Sequence, residues 1–146
     1  MEQETRYYLL VGDEGTWRKS FEENLWGFSE TSKGLWNTIK IGDFVGFYVT
    51  SPIKRIVGFG KIKKKTIDET IFWPDEKFFK RSIWKYRIEF NILHKIEDWE
   101  NGIRVSNNIM LNVGRKLVSR GLFFEIIKNA DSSWNTNLQK IIFKGN

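Results

Sequence analysis

The stretch from Trp84 to Ile92, WKYRIEFNI, indicates the class of fold because its apolar and polar residues alternate one by one. Successive side chains of a strand point to opposite faces, so this alternation predicts a strand with one buried face. Upstream, residues 44–50 (FVGFYVT) and 56–67 predict two further strands with only a turn between them. Consecutive strands without a crossover helix favour a curved, mostly antiparallel sheet or small barrel.

The segments towards the N-terminus add a strand and a helix. Residues 6–11 (RYYLLV) form a short apolar run that predicts a buried strand. Trp17, Phe21 and Leu25 then recur every four residues with charged residues between them. This spacing predicts an amphipathic helix that packs one face on the core.

The other segments complete an α+β arrangement of strands with helices around them. Residues 122–127 (LFFEII) predict a strand, and residues 131–133 predict the cap of a final helix that carries Leu138. Residues 26–33 predict a loop. Residues 71–79 predict an irregular aromatic segment because they contain a proline.

Composition excludes several classes of protein. The length of 146 residues suits one domain, which we expect to span residues 1–146. There is no run of about 18 apolar residues, and the charged N-terminus does not resemble a targeting peptide, so we expect a cytoplasmic protein without a membrane partner. The absence of cysteine excludes disulfides, thiolate metal sites and cysteine nucleophiles.

Enzymatic chemistry has little support in the sequence. His94 is the single histidine and lies in a strand pattern, so a structural role is favoured over zinc or hydrolase chemistry. Acidic pairs such as Asp75-Glu76 lie in charged contexts, where nothing raises a carboxyl pKa for acid–base work. We therefore expect a non-enzymatic protein with no cofactor and no bound metal.

Charge and aromatic content both favour nucleic acid as the partner. The formal net charge is +6 and the sequence pI is about 9.5, which indicates an anionic partner. Aromatic residues make up 16% of the chain and include seven tryptophans, whose flat rings suit the stacking of bases. The alternative interpretation is that the core is simply aromatic.

Two groups of basic residues are candidates for contact with phosphates. Lys61, Lys63 and Lys65 alternate along a predicted strand, so we expect them on one face, roughly 6–7 Å apart. The alternative is a lysine ridge that protects an edge strand. The second group flanks the aromatic segment and consists of Lys77, Lys80, Arg81, Lys85 and Arg87.

Several large aromatic residues lie where they are hard to bury. Phe72-Trp73 and Phe78-Phe79 occur in the charged segment around Pro74, and Trp26 opens a polar loop. These rings either cap one end of the barrel or face a ligand.

The order of these features resembles the EVE domain family and the related YTH domains of the PUA-like superfamily. The first matching block is residues 7–39, with a strand, a helix and a tryptophan loop. The second comprises residues 42–48 and 56–62, and the third is Trp73-Pro-Asp-Glu-Lys-Phe78 with the strand from Trp84. The resemblance implies a PUA-like curved antiparallel β-barrel with flanking helices.

In YTH domains an aromatic cage encloses a methylated adenine, so the resemblance implies a similar cage here. Its walls correspond to Trp26, Trp73 and Phe78, with Thr16 and Gly27 beside them. Gly12, Thr16 and Gly27 stand where YTH domains read the adenine edge, so methylated cytosine, methylated adenine and hypermodified tRNA bases all remain open. The segment at 105–107 resembles one that contacts the nucleic-acid backbone. The phosphate-binding residues that we predict are Lys61, Lys63, Lys65, Lys80, Arg81, Arg104, Asn107 and Arg115.

The sequence thus predicts a non-enzymatic module that binds RNA or DNA carrying a modified base, alone or with protein partners. One alternative is a small enzyme acting on a nucleotide or nucleobase, with Asp75 and Glu76 as the nearby acids. The other is a protein-interaction domain whose exposed aromatic residues form the contact surface.

Overall fold

A computed structural model describes residues 4–105 and 117–143 of the chain. These residues form a six-stranded sheet with helices packed around it. In chain order the elements are β1 (Tyr7–Gly12), α1 (Glu14–Glu23), β2 (Leu25–Phe28), a 3-10 turn (Glu30–Ser32), α2 (Lys33–Thr38), β3 (Phe44–Val49), β4 (Arg55–Ile67), α3 (Pro74–Phe79), β5 (Tyr86–Lys95), a second 3-10 turn (Trp99–Asn101), β6 (Leu117–Val118), α4 (Arg120–Trp134) and α5 (Leu138–Ile142).

The sheet has the strand order β2-β5-β4-β3-β1-β6 and curls into a half-barrel. All neighbouring strands are antiparallel except β1 and β3, which run parallel from the pair Tyr7–Phe44 onwards. A parallel pair needs a crossover connection, which α1, β2 and α2 supply here. The predicted α+β class, a curved sheet with flanking helices, is confirmed, and among the described strands the parallel pair is the departure from an antiparallel sheet.

The two faces of the sheet bury different core clusters. Alternate residues of β1 show this, since Tyr7 belongs to the first core cluster and Tyr8 to the second. Helices α4 and α5 cover the first cluster, which includes Phe59 and Phe123. Helix α1 covers the second through Trp17. This division determines which side chains share a surface.

The predicted strand at 122–127 is wrong, because these residues belong to α4. Phe123, Ile126, Ile127 and Ala130 are buried at helical spacing along its inner side. The Ser119 side chain accepts a hydrogen bond from the Leu122 N–H and so caps the helix. A short apolar run fits a strand and a helix equally well, and here the tertiary packing decides.

The predicted cap of the final helix lies inside α4 rather than directly before α5. The Asp131 carboxylate nevertheless accepts hydrogen bonds from the backbone N–H groups of Leu138 and Gln139, at 2.7 and 2.9 Å. It therefore provides acceptors for free N–H groups in the first turn of α5, although Asp131 itself lies on the preceding helix.

Two segments predicted to be irregular contain regular structure. Residues 25–28 form β2, which pairs with β5 between Trp26 and Ile88. Pro74 begins α3 instead of preventing regular structure, because the first position of a helix needs no N–H donor. No helix among residues 4–105 and 117–143 is long and apolar enough to cross a membrane.

Candidate nucleic-acid interface

A pocket of about 360 Å³ lies where the end of β1, the start of α1, β2 and the region of α3 converge. Its volume falls in the range of small-molecule sites. Three tryptophans, Trp26, Trp73 and Trp84, contribute to its walls. The other lining residues are Val11, Gly12, Asp13, Thr16, Gly27, Phe28, Ser32 and Asp75.

Trp26 is held in the pocket wall by the second core cluster. Its ring stacks on Trp17 at a centroid distance of 4.1 Å, and the Trp17 indole N–H donates to the Tyr48 carbonyl at 2.8 Å. A Cβ on Gly12 would lie 2.3 Å from the Trp26 ring. The backbone of β1 therefore lies so close to this ring that only glycine fits at position 12.

Trp73 precedes α3 and is almost completely buried. Its indole N–H donates to the Ser20 hydroxyl at 2.8 Å, which joins α3 to α1. The Arg87 guanidinium lies 5.0 Å from the centroid of the Trp73 ring, within the range of a cation–π contact. The ring is thus fixed before any ligand arrives.

Trp84 is the pocket tryptophan that the sequence interpretation missed. Its indole N–H donates to the Asp75 carboxylate at 2.8 Å, so the acid at the start of α3 orients this ring. A Cβ on Gly27 would lie 2.4 Å from the Trp84 Cβ and 2.9 Å from the Trp73 ring. The alternating pattern predicts a strand that begins at Trp84, whereas β5 begins at Tyr86. No local signal distinguishes the two placements.

Glu76 organises the whole α3 region from inside the protein. Its side chain is fully buried and accepts hydrogen bonds from the backbone N–H groups of Phe72, Trp73, Ile83 and Trp84. The buried Arg87 guanidinium lies 3.6 Å from the carboxylate. The prediction that the Asp75-Glu76 pair lies in a charged context without special surroundings is therefore wrong for Glu76, which is buried.

The environment of Glu76 keeps its carboxylate ionised. Burial by itself would raise its pKa, but the backbone N–H donors, that of Trp84 first, outweigh burial. The net result is a pKa below the ordinary value of 4.5. Glu76 is thus a structural anion that closes the loop between α3 and β5.

The structure brings together four of the five residues predicted to bind a base. Trp26, Trp73, Thr16 and Gly27 all line the pocket. Phe78 does not line it and is 79% exposed on the outside of α3, next to Phe79. The helix is the physical reason, because it turns Phe78 away from the preceding Trp73 whereas an irregular loop allows both to face one site.

The predicted row of lysines on β4 is not a row in the structure. The pairing of β4 with β5 shifts between Ile62 and Lys64, so the strict alternation of side chains ends there. The Lys61 ammonium lies 5.6 Å from the Phe44 ring on the side of the first core cluster. The Lys65 ammonium lies 4.4 Å from the Trp36 ring, which packs against the second cluster.

Two of these lysines already have partners inside the protein. The Lys63 ammonium pairs with Glu89 at 3.0 Å. The Lys65 ammonium donates to the Ile39 carbonyl at 2.8 Å, and burial, together with the nearby Lys40, lowers its pKa. Lys63 and Lys65 are therefore already engaged by the fold.

The basic residues around α3 divide into a buried and an exposed set. Arg87 is 2% exposed and pairs with Asp68 and Glu76, so it does not belong to the surface. Lys85 pairs with Glu30 at 3.5 Å. The exposed residues at the end of the helix are Lys77, Lys80 and Arg81.

The remaining predicted phosphate contacts lie away from α3 or outside the described residues. Arg104 is exposed after the second 3-10 turn. Asn107 and Arg115 fall outside the residues that the structure describes.

His94 packs its ring 5.6 Å from that of Trp134. Within residues 4–105 and 117–143, no group of three or more acidic or histidine side chains is arranged to hold a metal ion.

The fold is similar to that of solved YTH domains. Neither the protein-family models nor the curated proteins include a match to this chain. A crystal structure of the Mmi1 YTH domain superposes with a TM-score of 0.63 at 12% identity, covering 91% of this chain and 100% of that one. Another solved Mmi1 YTH chain is covered over only 58% of its length.

Two further structures extend this similarity. A complex of the YTH domain-containing protein mmi1 with RNA gives a TM-score of 0.59 at 14% identity, covering 90% of this chain and 87% of that one. The NMR structure of Rpa0253 from Rhodopseudomonas palustris gives a TM-score of 0.54 at 13% identity, covering 85% of this chain and 92% of that one. The chain therefore has a YTH-like fold, and the narrower EVE resemblance remains a prediction.

Proposed function

We propose that this protein is a nucleic-acid-binding module that takes one modified base into the pocket formed by Trp26, Trp73 and Trp84. The observation that carries the proposal is the convergence of these three rings on one cavity of about 360 Å³. Aromatic rings on which a base stacks contribute roughly 1–3 kcal/mol per base. The similar mmi1 structure was solved as an RNA complex, which makes single-stranded RNA the first ligand to test and DNA the second.

The rings that line the pocket are held in place by the protein itself. The Trp73 and Trp84 indole N–H groups are satisfied by Ser20 and Asp75. Gly12 and Gly27 leave no room for a side chain beside the rings. Such prior positioning lowers the entropy cost of ligand binding because the rings need no reordering.

Methyl recognition in this pocket would rest on shape and polarity together. One buried methyl contributes only about 0.8 kcal/mol, or about fourfold in affinity. A larger preference requires an unmodified base to leave a polar group poorly satisfied in the pocket. Thr16 and Ser32 are lining residues with hydroxyl groups suited to reading a base edge.

The proposal is for binding without turnover. Asp75 is engaged with the Trp84 indole, and Glu76 is buried with a lowered pKa that suits neither a general acid nor an accessible base. Both acids that the enzyme alternative requires therefore have structural roles in positioning the pocket.

The test is direct binding of short single-stranded RNA and DNA oligonucleotides, each with one modified base, to the native protein and to Trp84→Ala. Trp84 is only half-buried, so its removal spares the core better than removal of Trp73. Trp134→Ala is the matched control, because Trp134 is also half-buried but lies at the end of α4, away from the pocket, where its indole N–H donates to the Asn101 carbonyl of the second 3-10 turn.

We expect the native protein to prefer one modification, and Trp84→Ala to lose at least about fivefold in affinity for that oligonucleotide, the lower end of one stacking contact. Trp134→Ala should keep both the affinity and the preference. Equal affinity for modified and unmodified oligonucleotides in all three proteins would refute a base-reading pocket.

A further inference from the structure

Two exposed phenylalanines on α3 have no role in the pocket itself. Phe78 is 79% exposed and Phe79 is 57% exposed, with ring centroids 5.0 Å apart and planes at 87°. Large aromatic side chains that remain this exposed side by side are typical of a contact surface.

The position of these rings relates them directly to the pocket. Asp75 lines the pocket, and Phe78 and Phe79 follow it by three and four residues on the same helix. Residues at these spacings share one helix face. The phenylalanines therefore lie about one helical turn, roughly 5.4 Å, along α3 from Asp75. This is about one to two nucleotide steps of a stacked strand, at roughly 3.4 Å each.

The charge around the rings matches a polyanion. Lys77, Lys80 and Arg81 are exposed next to the phenylalanines. None of the three forms an ion pair with an acidic side chain in the described part of the chain. Aromatic rings interleaved with free cationic side chains are the combination by which single strands are bound through bases and phosphates together.

We propose that Phe78 and Phe79 form a stacking platform for the nucleotide next to the base in the pocket, with Lys80 and Arg81 at its phosphate. This inference rests on the proposed function, since it extends the same strand beyond the pocket. Because the two rings are nearly perpendicular, only one of them stacks face to face on the base while the other borders its edge. We therefore expect unequal losses when the two are removed singly.

The experiment separates the platform from the pocket by ligand length. The probes are the free nucleosides N6-methyladenosine and 5-methylcytidine, and five-nucleotide RNAs with each of these at the centre between adenosines. Binding is measured for the native protein, the double variant Phe78→Ala/Phe79→Ala, and Phe124→Ala. Phe124 is the matched control because it is a surface-exposed phenylalanine on α4.

We expect the double variant to lose at least about fivefold in affinity for the preferred five-nucleotide RNA, with nucleoside binding unchanged. Phe124→Ala should behave like the native protein, and Phe78→Trp/Phe79→Trp should retain binding. 2-Aminopurine placed beside the central base should lose fluorescence on binding to the native protein and not on binding to the double variant.

Three outcomes overturn the platform, and they are distinguishable. Equal binding of the five-nucleotide RNA by the native protein and the double variant, with the nucleoside still bound, removes the platform and leaves the pocket intact. No binding of nucleoside or RNA by the native protein removes the proposed function and the platform with it. Loss of binding to anionic lipid vesicles alone in the double variant would assign the rings to a membrane surface instead.

Discussion

The two basic regions of this protein differ in how far the fold itself uses their charges. On β4, Lys63 pairs with Glu89 and Lys65 donates to a carbonyl group. After α3, Lys80 and Arg81 are exposed and form no ion pair within the described residues. The β4 region has the denser run of lysines in the sequence, but the fold already uses two of its charges. Counting lysines therefore does not show how much charge is free for a ligand.

The two regions also differ in how deeply their acidic residues are buried. Glu89 is a third exposed and meets its lysine at the surface, whereas Glu76 is fully buried and holds the loop between α3 and β5. The exposed cations Lys80 and Arg81 thus lie in a loop that the buried Glu76 carboxylate holds in place. The following changes test this difference, beginning with the largest effect.

Glu76→Ala should lower the free energy of unfolding by about 3–5 kcal/mol, because it leaves the buried Arg87 and several N–H groups without their partner. Chemical denaturation followed by circular dichroism measures this loss. Glu89→Ala is the control and should cost no more than about 1 kcal/mol, since its pair is partly exposed. Equal losses of unfolding free energy in the two variants would contradict the difference between the buried Glu76 and the partly exposed Glu89.

The pH dependence follows from the direction of the Glu76 pKa shift. The pKa in the folded state lies below the ordinary value of 4.5, so the stabilisation is fully present above pH 4.5. It is lost as the pH falls through the lowered pKa of the folded state. The stability difference between the native protein and Glu76→Gln should therefore be constant near neutral pH and narrow in acid.

Gly27→Ala should destabilise the protein by about 1–3 kcal/mol and remove base binding, because the added methyl group collides with Trp84 and Trp73. Thermal unfolding and oligonucleotide binding measure the two effects. Gly34→Ala is the matched control, since a Cβ on Gly34 in α2 meets nothing within 4 Å. The control should be neutral or stabilising by about 0.5–1 kcal/mol. A Gly27→Ala variant that keeps its stability and its ligand would refute the close packing of the pocket.

The smallest expected effect is on salt dependence. For a single strand, each phosphate contact contributes about 0.7 to the slope of log affinity against log salt. Lys80→Ala/Arg81→Ala should reduce the slope by about 0.7–1.4, whereas Lys61→Ala/Lys63→Ala should change it by less. Affinity for one oligonucleotide at several salt concentrations gives both slopes. A larger change of slope in Lys61→Ala/Lys63→Ala than in Lys80→Ala/Arg81→Ala would place the phosphate contacts on β4.

Much of the fold was predictable from sequence because its signals are local. Alternation predicts the strand observed as β5, and the four-residue spacing of Trp17 and Phe21 predicts α1, although Leu25, which continues that spacing, lies in β2. The prediction for 122–127 failed because a short apolar run carries no period of its own. The prediction for 71–79 failed because a proline at a first helical position looks the same in sequence as one in a loop.

For the site, the sequence grouped Trp26, Trp73, Thr16 and Gly27 through its resemblance to YTH domains, and all four line the pocket. Only the tertiary structure decided that Trp84 completes the pocket wall and that Phe78 faces solvent. It also decided that Glu76 is buried and that a shift in pairing divides the β4 lysines. The physical reason is that these outcomes depend on strand register, helix rotation and hydrogen bonds between segments distant in the chain. Residue types and their spacing determine none of these.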